Sequence, residues 1–154
     1  IYEDRLKAVA SKYQNTEIVD KDAVYDLDMD IYAPCALGAT INDDTLKRLR
    51  CRIIAGAANN QLQDERIHAD ACQAQGILYA PDFLINAGGI MNVFCEISLP
   101  VYNRPRAYEQ AERIYDYTLN IFETAEKEQI NTHEAAMRVA LKRIEQAARL
   151  KATF

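Results

Sequence analysis

Up to Ala80 the chain alternates short apolar runs with amphipathic stretches; beyond residue 100 it changes to long charged segments with narrow apolar stripes. Leu6, Val9, Ala10 and Tyr13 share a face at helical spacing and predict a helix over residues 2–13. Glu17-Ile18-Val19 predicts a short strand, and Asp20 to Leu27 a short helix. A second strand is expected over Asp30–Ala39, ending in Ala33-Pro34, and Asn42 or Asp43 is placed to cap a helix over Asp44–Arg50. Cys51–Gly56 and Gly76–Ala80 complete four strand candidates, with a helix over Glu65–Gln75 between the last two. The strand runs are apolar throughout rather than alternating, as strands covered on both faces are. The expected class is therefore α/β, with a doubly wound parallel sheet.

Pro81 to Val93 follows the last strand and continues as helix, which puts its turn at the sheet's carboxyl edge, where open α/β folds bind ligands. Asn86 is the polar group of this apolar segment, and Gly88-Gly89 admits a backbone or a flat ligand at close range. Further on, Pro105 suits a first helical turn, and Ala107, Ala111, Ile114, Thr118, Ile121, Phe122 and Ala125 form one stripe. Asn131 with Glu134 resembles a capping box, and Val139, Ala140, Ile144, Ala147 and Leu150 continue the apolar face of the last helix. Two charged helices with such narrow faces suit docking on another domain or subunit.

Composition narrows the function classes. At 49% hydrophobic and 27% charged residues the chain has the make-up of a soluble globular protein. A net charge of -5 argues against a nucleic-acid partner, and no apolar run reaches bilayer-spanning length, so a cytoplasmic protein is expected. Cys35, Cys51, Cys72 and Cys95 are scattered in apolar company and read as reduced core thiols, not as a disulfide framework or a metal site. His68 and His133 lack partners at ligand spacing and read as helix-surface residues. Asp26, Asp28, Asp43 and Asp44 read as helix-start and solvated carboxylates, and no nucleophile stands beside a base.

The chemistry concentrates in three loops that leave the strand ends: Pro34–Gly38, Gly56–Gln61 and Pro81–Gly89. They offer small residues for close approach and the neutral amides of Asn59, Asn60 and Asn86, which bind carboxamides, hydroxyls and amino groups without adding charge. Their sequences, Tyr32-Ala33-Pro34-Cys35-Ala36-Leu37-Gly38-Ala39, Ile53-Ile54-Ala55-Gly56-Ala57-Ala58-Asn59-Asn60-Gln61-Leu62 and Tyr79-Ala80-Pro81-Asp82-Phe83-Leu84-Ile85-Asn86-Ala87-Gly88-Gly89, resemble the glutamate/leucine/phenylalanine/valine dehydrogenase family. Tyr102-Asn103-Arg104 and the two closing helices extend the resemblance over essentially the whole chain, nearest to the family's leucine-type members.

The resemblance implies an NAD-dependent oxidative deamination of branched-chain L-amino acids to 2-oxo acids and ammonia. By the same resemblance, Cys35, Ala36, Leu37 and Gly38 line the adenosine-ribose side of NAD. Asn60, with Asn59 beside it, meets the substrate amino group and the nicotinamide neighbourhood, and Asn86 binds the nicotinamide carboxamide. Ile90 and Val93 shape the substrate side-chain pocket. The family's catalytic lysines and aspartate have no counterpart among the chain's residues, and its five glycines cannot make GxGxxG. The expectation is therefore the C-terminal portion of a Rossmann-like enzyme, with part of the NAD-binding domain at 1–98 and a docking helical segment at 99–154. Such a piece leaves an open sheet edge and an uncovered apolar face, and it is expected to aggregate when expressed alone. A homo-oligomer is expected of the complete enzyme. The other reading is a non-catalytic nucleotide-binding or oligomerisation module derived from such an enzyme; the coding sequence upstream of Ile1 separates the two.

Overall fold

The computed structural model describes residues 2–98 and 101–151. Three parallel strands, β1 (Ile31–Tyr32), β2 (Ile53–Ile54) and β3 (Leu78–Tyr79), lie side by side in sequence order. Their register aligns Ile31 with Ile53 and Leu78, and Tyr32 with Ile54 and Tyr79. Side chains alternate across a sheet, so the two rows face opposite ways. Tyr32, Ile54 and Tyr79 are buried with Ile41, Leu46, Leu49, Leu62, Ala69 and Cys72 in the larger core. The other row is open: Ile31 is 54% exposed and Leu78 37%. Among the described residues the sheet is covered on one face, and the face carrying Ile31 and Leu78 is left open. The sheet and its helices make a Rossmann-like α/β architecture.

The helices are α1 (Glu3–Lys12), α2 (Glu65–Ala74), α3 (Asp82–Ile85), α4 (Gly88–Ser98), α5 (Arg104–Glu128) and α6 (Thr132–Lys151). Helix α1 forms where the periodicity predicts it, but none of its residues is buried. Helix α2 starts at Asp64, whose carboxylate accepts from the backbone N–H of Arg66 and Ile67; those bonds hold its pKa below the usual carboxylate range. Helix α5 buries its expected stripe at Ala107, Ile121 and Ala125, with Ala111, Ile114, Thr118 and Phe122 half-buried. Asn103 caps it through Arg106 N–H, and Pro105 stands in the first turn, where its missing N–H is harmless. At the turn into α6, Asn131 Oδ1 accepts from Glu134 N–H while its Nδ2 donates to Asp70 on α2. Ala135 and Ala136 then pack with Ile121 and Ala125 into a second core. From Leu141 to Arg149 α6 is exposed. The side chain of Leu150, assigned to its apolar face, and Leu99-Pro100, at the expected domain boundary, lie outside the described residues.

Several expected elements are corrected. Glu17-Ile18-Val19 is irregular, because a strand needs a hydrogen-bonded neighbour and none of the described segments pairs with it. Asp20–Leu27 shortens to a 3-10 turn at Ala23–Asp26. Asp44–Arg50 is not a helix but turns as far as Arg48, with Arg50 bridging to Asp28: Thr45 Oγ1 donates to Thr40 O at 2.7 Å and accepts from Asn42 N–H at 3.0 Å, side-chain bonds that compete with the helix. Asn42 still caps the segment, accepting from the N–H groups of Asp44 and Thr45. His68 is buried, not on the helix surface: its Nδ1 accepts from Asp64 N–H and its Nε2 lies 3.5 Å from Asp43 Oδ1. Cys35 is exposed, in contrast to the buried thiols of Cys51, Cys72 and Cys95.

Candidate functional site

The loops after β1, β2 and β3 are knit to one another at the carboxyl edge. Ala58 N–H donates to Pro34 O at 2.9 Å, Ala57 N–H to Cys35 Sγ at 3.5 Å, and Ala39 N–H to Asn60 O at 2.7 Å. Close approach requires the first two glycines. A Cβ on Gly56 would sit 2.1 Å from Pro34 O, and one on Gly38 would sit 2.8 Å from the carbonyls of Asn59 and Asn60. Both glycines therefore serve loop-to-loop packing. Ala39 and Asn60 adopt left-handed backbone, with φ of 55° and 53°.

The third loop is tied to the second through two residues that the sequence reading passed over. Asp82 is buried, and its Oδ2 accepts from Gln61 N–H at 2.7 Å. Gln61 is fully buried, and its Nε2 donates to Gly56 O and Ala58 O at 2.6 and 2.9 Å. Tyr79 lies beneath, its hydroxyl accepting from Asp82 N–H at 3.3 Å, and burial pushes its pKa up. The available signal was the Pro81-Asp82 step at a strand end, where a carboxylate with a buried neighbour commonly orders a loop.

On this frame Asn86 Nδ2 donates to Asn59 Oδ1 at 2.5 Å, which brings two of the expected amides together. Asn60 stays exposed, and among the described residues its side-chain amide makes no hydrogen bond. Cys35, Ala36, Leu37 and Gly38 form the exposed rim of the first loop. Ile90 and Val93 stand one turn apart on α4, and their side chains take no part in the loop hydrogen bonds. That helix is apolar on both sides. Gly88, Met91, Asn92 and Cys95 make the inner stripe, while Ile90, Val93, Phe94 and Ile97 face outward, Ile90 at 72% and Ile97 at 78% exposure.

A groove of about 420 Å³ lies elsewhere, between α2, β3 and the α5–α6 turn. Two of its polar side chains are engaged, Asn131 with Asp70 and Thr132 with Tyr79 O. The loop edge, with its open amide, is the better candidate. No group of three or more His, Cys, Asp or Glu residues among the described residues is arranged for a metal ion.

The sequence profile of the Glutamate/Leucine/Phenylalanine/Valine dehydrogenases matches residues 2–151. The chain belongs to that family. This family member is 50% identical over 138 residues to leucine dehydrogenase of Thermoactinomyces intermedius, covering 90% of this chain and 37% of that enzyme. It is 46% identical over 134 residues to L-tryptophan dehydrogenase of Nostoc punctiforme, covering 87% of this chain and 37% of that enzyme. The crystal structure of L-tryptophan dehydrogenase from Nostoc punctiforme matches with a TM-score of 0.90 at 42% identity, over 95% of this chain and 43% of that one. The chain thus spans little more than a third of the length of these curated relatives. Relatives named for a branched aliphatic and for an indole substrate stand at similar identity, so overall similarity does not choose the substrate.

Proposed function

We propose that this chain is the cofactor-holding and pocket-shaping portion of an NAD-dependent dehydrogenase that deaminates branched aliphatic L-amino acids. The observation that carries the reading is α4: its outward stripe Ile90, Val93, Phe94, Ile97 starts directly after the loop bearing Asn86. An apolar wall beside neutral amides is what an aliphatic side chain and a carboxamide together require.

The loop residues fit a dinucleotide. The Asn60 amide has bonding capacity left over, Asn86 is already oriented by Asn59, and a side chain built on Gly88 or Gly89 would meet nothing within 4 Å. In this reading Asn86 holds the nicotinamide carboxamide, Asn60 orients the substrate amino group, and Cys35 to Gly38 line the adenosine ribose. Gly38 contributes backbone only, because its side-chain direction is filled by the second loop. When bound, NAD supplies the acceptor for the hydride that leaves the amino acid's Cα. Residues of this chain orient the reactants and exclude water, and proton transfer is assigned to lysines outside residues 1–154.

Residues 1–98 then belong to the cofactor domain, and 99–154 dock on the substrate domain or a second subunit of a cytoplasmic homo-oligomer. The test is NADH production by the complete enzyme with leucine, valine and isoleucine, repeated with Asn60→Ala. Turnover that loses about tenfold or more in kcat/KM on this substitution, with the fold intact, supports the assignment. No amino-acid-dependent turnover in the complete protein would leave a nucleotide-binding module instead, and unchanged kinetics would remove Asn60 from the site.

A further inference from the structure

We infer that Tyr102, acting through Asn92, is the positioning residue that sets the roll of α4 and so the width of the pocket shaped by Ile90 and Val93. The inference rests on the function proposed above. Tyr102 stands in the connection between α4 and α5, and its hydroxyl donates to Asn92 Oδ1 at 2.7 Å. Asn92 Nδ2 donates onward to Glu96 Oε1 at 2.8 Å, one turn along the same helix. Both ends of the Asn92 amide are therefore engaged, and the tyrosine is fastened to the helix rather than resting against it.

Asn92 belongs to the inner stripe of α4. At roughly 100° per residue it lies about 200° round from Ile90 and about 100° from Val93. A tether at that point resists rotation of the outward stripe. Packing alone holds the two halves of α4 unequally. Cys95, in the C-terminal half, is its buried residue. Beside the N-terminal half lies a groove of about 250 Å³ between α4 and the start of α5, lined by Gly88, Asn92, Tyr102, Arg104, Ala107 and Tyr108, among others. The half that carries Ile90 and Val93 thus depends on the Tyr102 strut. A roll of about 10° moves side-chain tips on a helix of this radius by about 1 Å, enough to change which side chain a pocket admits.

The experiment uses the complete enzyme with Tyr102→Phe, which keeps the ring and removes the hydroxyl, with Asn92→Ala, and with both together. In Tyr102→Phe the ratio of kcat/KM for phenylalanine to that for leucine rises about three- to tenfold, the range of a pocket altered by less than a methylene. KM for NAD stays within about twofold. The double variant matches the stronger single one, as expected of residues acting in one chain of contacts. Amide exchange over residues 88–98 quickens while that of α2 does not. An unmoved ratio, equal losses for both substrates, or additive single effects would overturn the assignment. If the wild type shows no amino-acid-dependent turnover, the functional reading fails separately. Exchange over 88–98 then decides: unchanged rates overturn the strut, and faster rates confined to α4 uphold it.

Discussion

The second loop and helix α4, the two parts of the proposed site, hold their side chains in opposite ways. In the loop, Gln61 is fully buried, with its backbone bonded to Asp82 and its amide bonded to Gly56 and Ala58. On α4, Ile90, Val93, Phe94 and Ile97 face outward with no covering layer among the described residues. The loop is finished within this chain; the outer face of α4 is not. The contrast teaches that the loop is preorganised by internal hydrogen bonds, whereas the outer face of α4 is an open apolar surface. The two glycine pairs divide in the same way, since Gly38 and Gly56 are closed in by backbone while Gly88 and Gly89 face open space.

The largest effect expected from this contrast is at Gly56. Alanine there drives a Cβ to 2.1 Å from Pro34 O, where backbone cannot yield, and should destabilise by about 3 kcal/mol or more. Thermal unfolding of the complete protein checks it, and a loss below about 1 kcal/mol would mean the loops are looser than drawn. Asp82→Ala strands the Gln61 N–H in a buried site and should cost about 1–3 kcal/mol, read by the same measurement.

On the open side, Ile90→Ala should leave stability nearly unchanged, because the side chain is 72% exposed, while shifting kcat/KM for phenylalanine over leucine about tenfold. A β-branched residue close to the backbone narrows a pocket, and its removal relieves the clash with a ring. An unmoved ratio would take Ile90 out of the pocket.

The closed core should also show in the pH dependence of stability. Burial raises the Cys72 thiol from 9.0 to about 12, with Cys51 shifted the same way, and the Tyr32 hydroxyl from 10.0 to about 12. The unfolded chain then releases protons that the folded one keeps. The contribution of Cys72 is complete below about pH 9 and falls between about 9 and 12, and that of Tyr32 falls between about 10 and 12, by up to about 1.4 kcal/mol per pH unit for each of the two. Urea midpoints taken from pH 8 upward test the sign, and Cys72→Ala should flatten the first part of the fall. The smallest effect is Gly89→Ala, which fills open space in a helix and should stabilise by about 0.5–1 kcal/mol. If a ligand approaches that backbone, the same substitution raises its KM.

Much of this was legible in the residues themselves. The α5 stripe, the capping of α6 by Asn131, helix α2 and the three strand-end loops follow from local rules, since helical periodicity, caps and turn residues act over a few positions. The family resemblance was likewise carried by short contiguous motifs. What the tertiary structure decided was non-local. Glu17-Ile18-Val19 has strand composition and no partner, and the strands that form shorten to the two residues that pair. Thr45 turns an expected helix into turns through its bond to Thr40. His68 is drawn into the interior beside Asp64, and Gly38 and Gly56 prove to be packing glycines, because only the assembled loops bring Pro34 against Gly56 and Asn59-Asn60 against Gly38. Asp82 and Gln61, 21 positions apart, carry no sign of each other in sequence, and they meet because parallel strands deliver their ends to one edge.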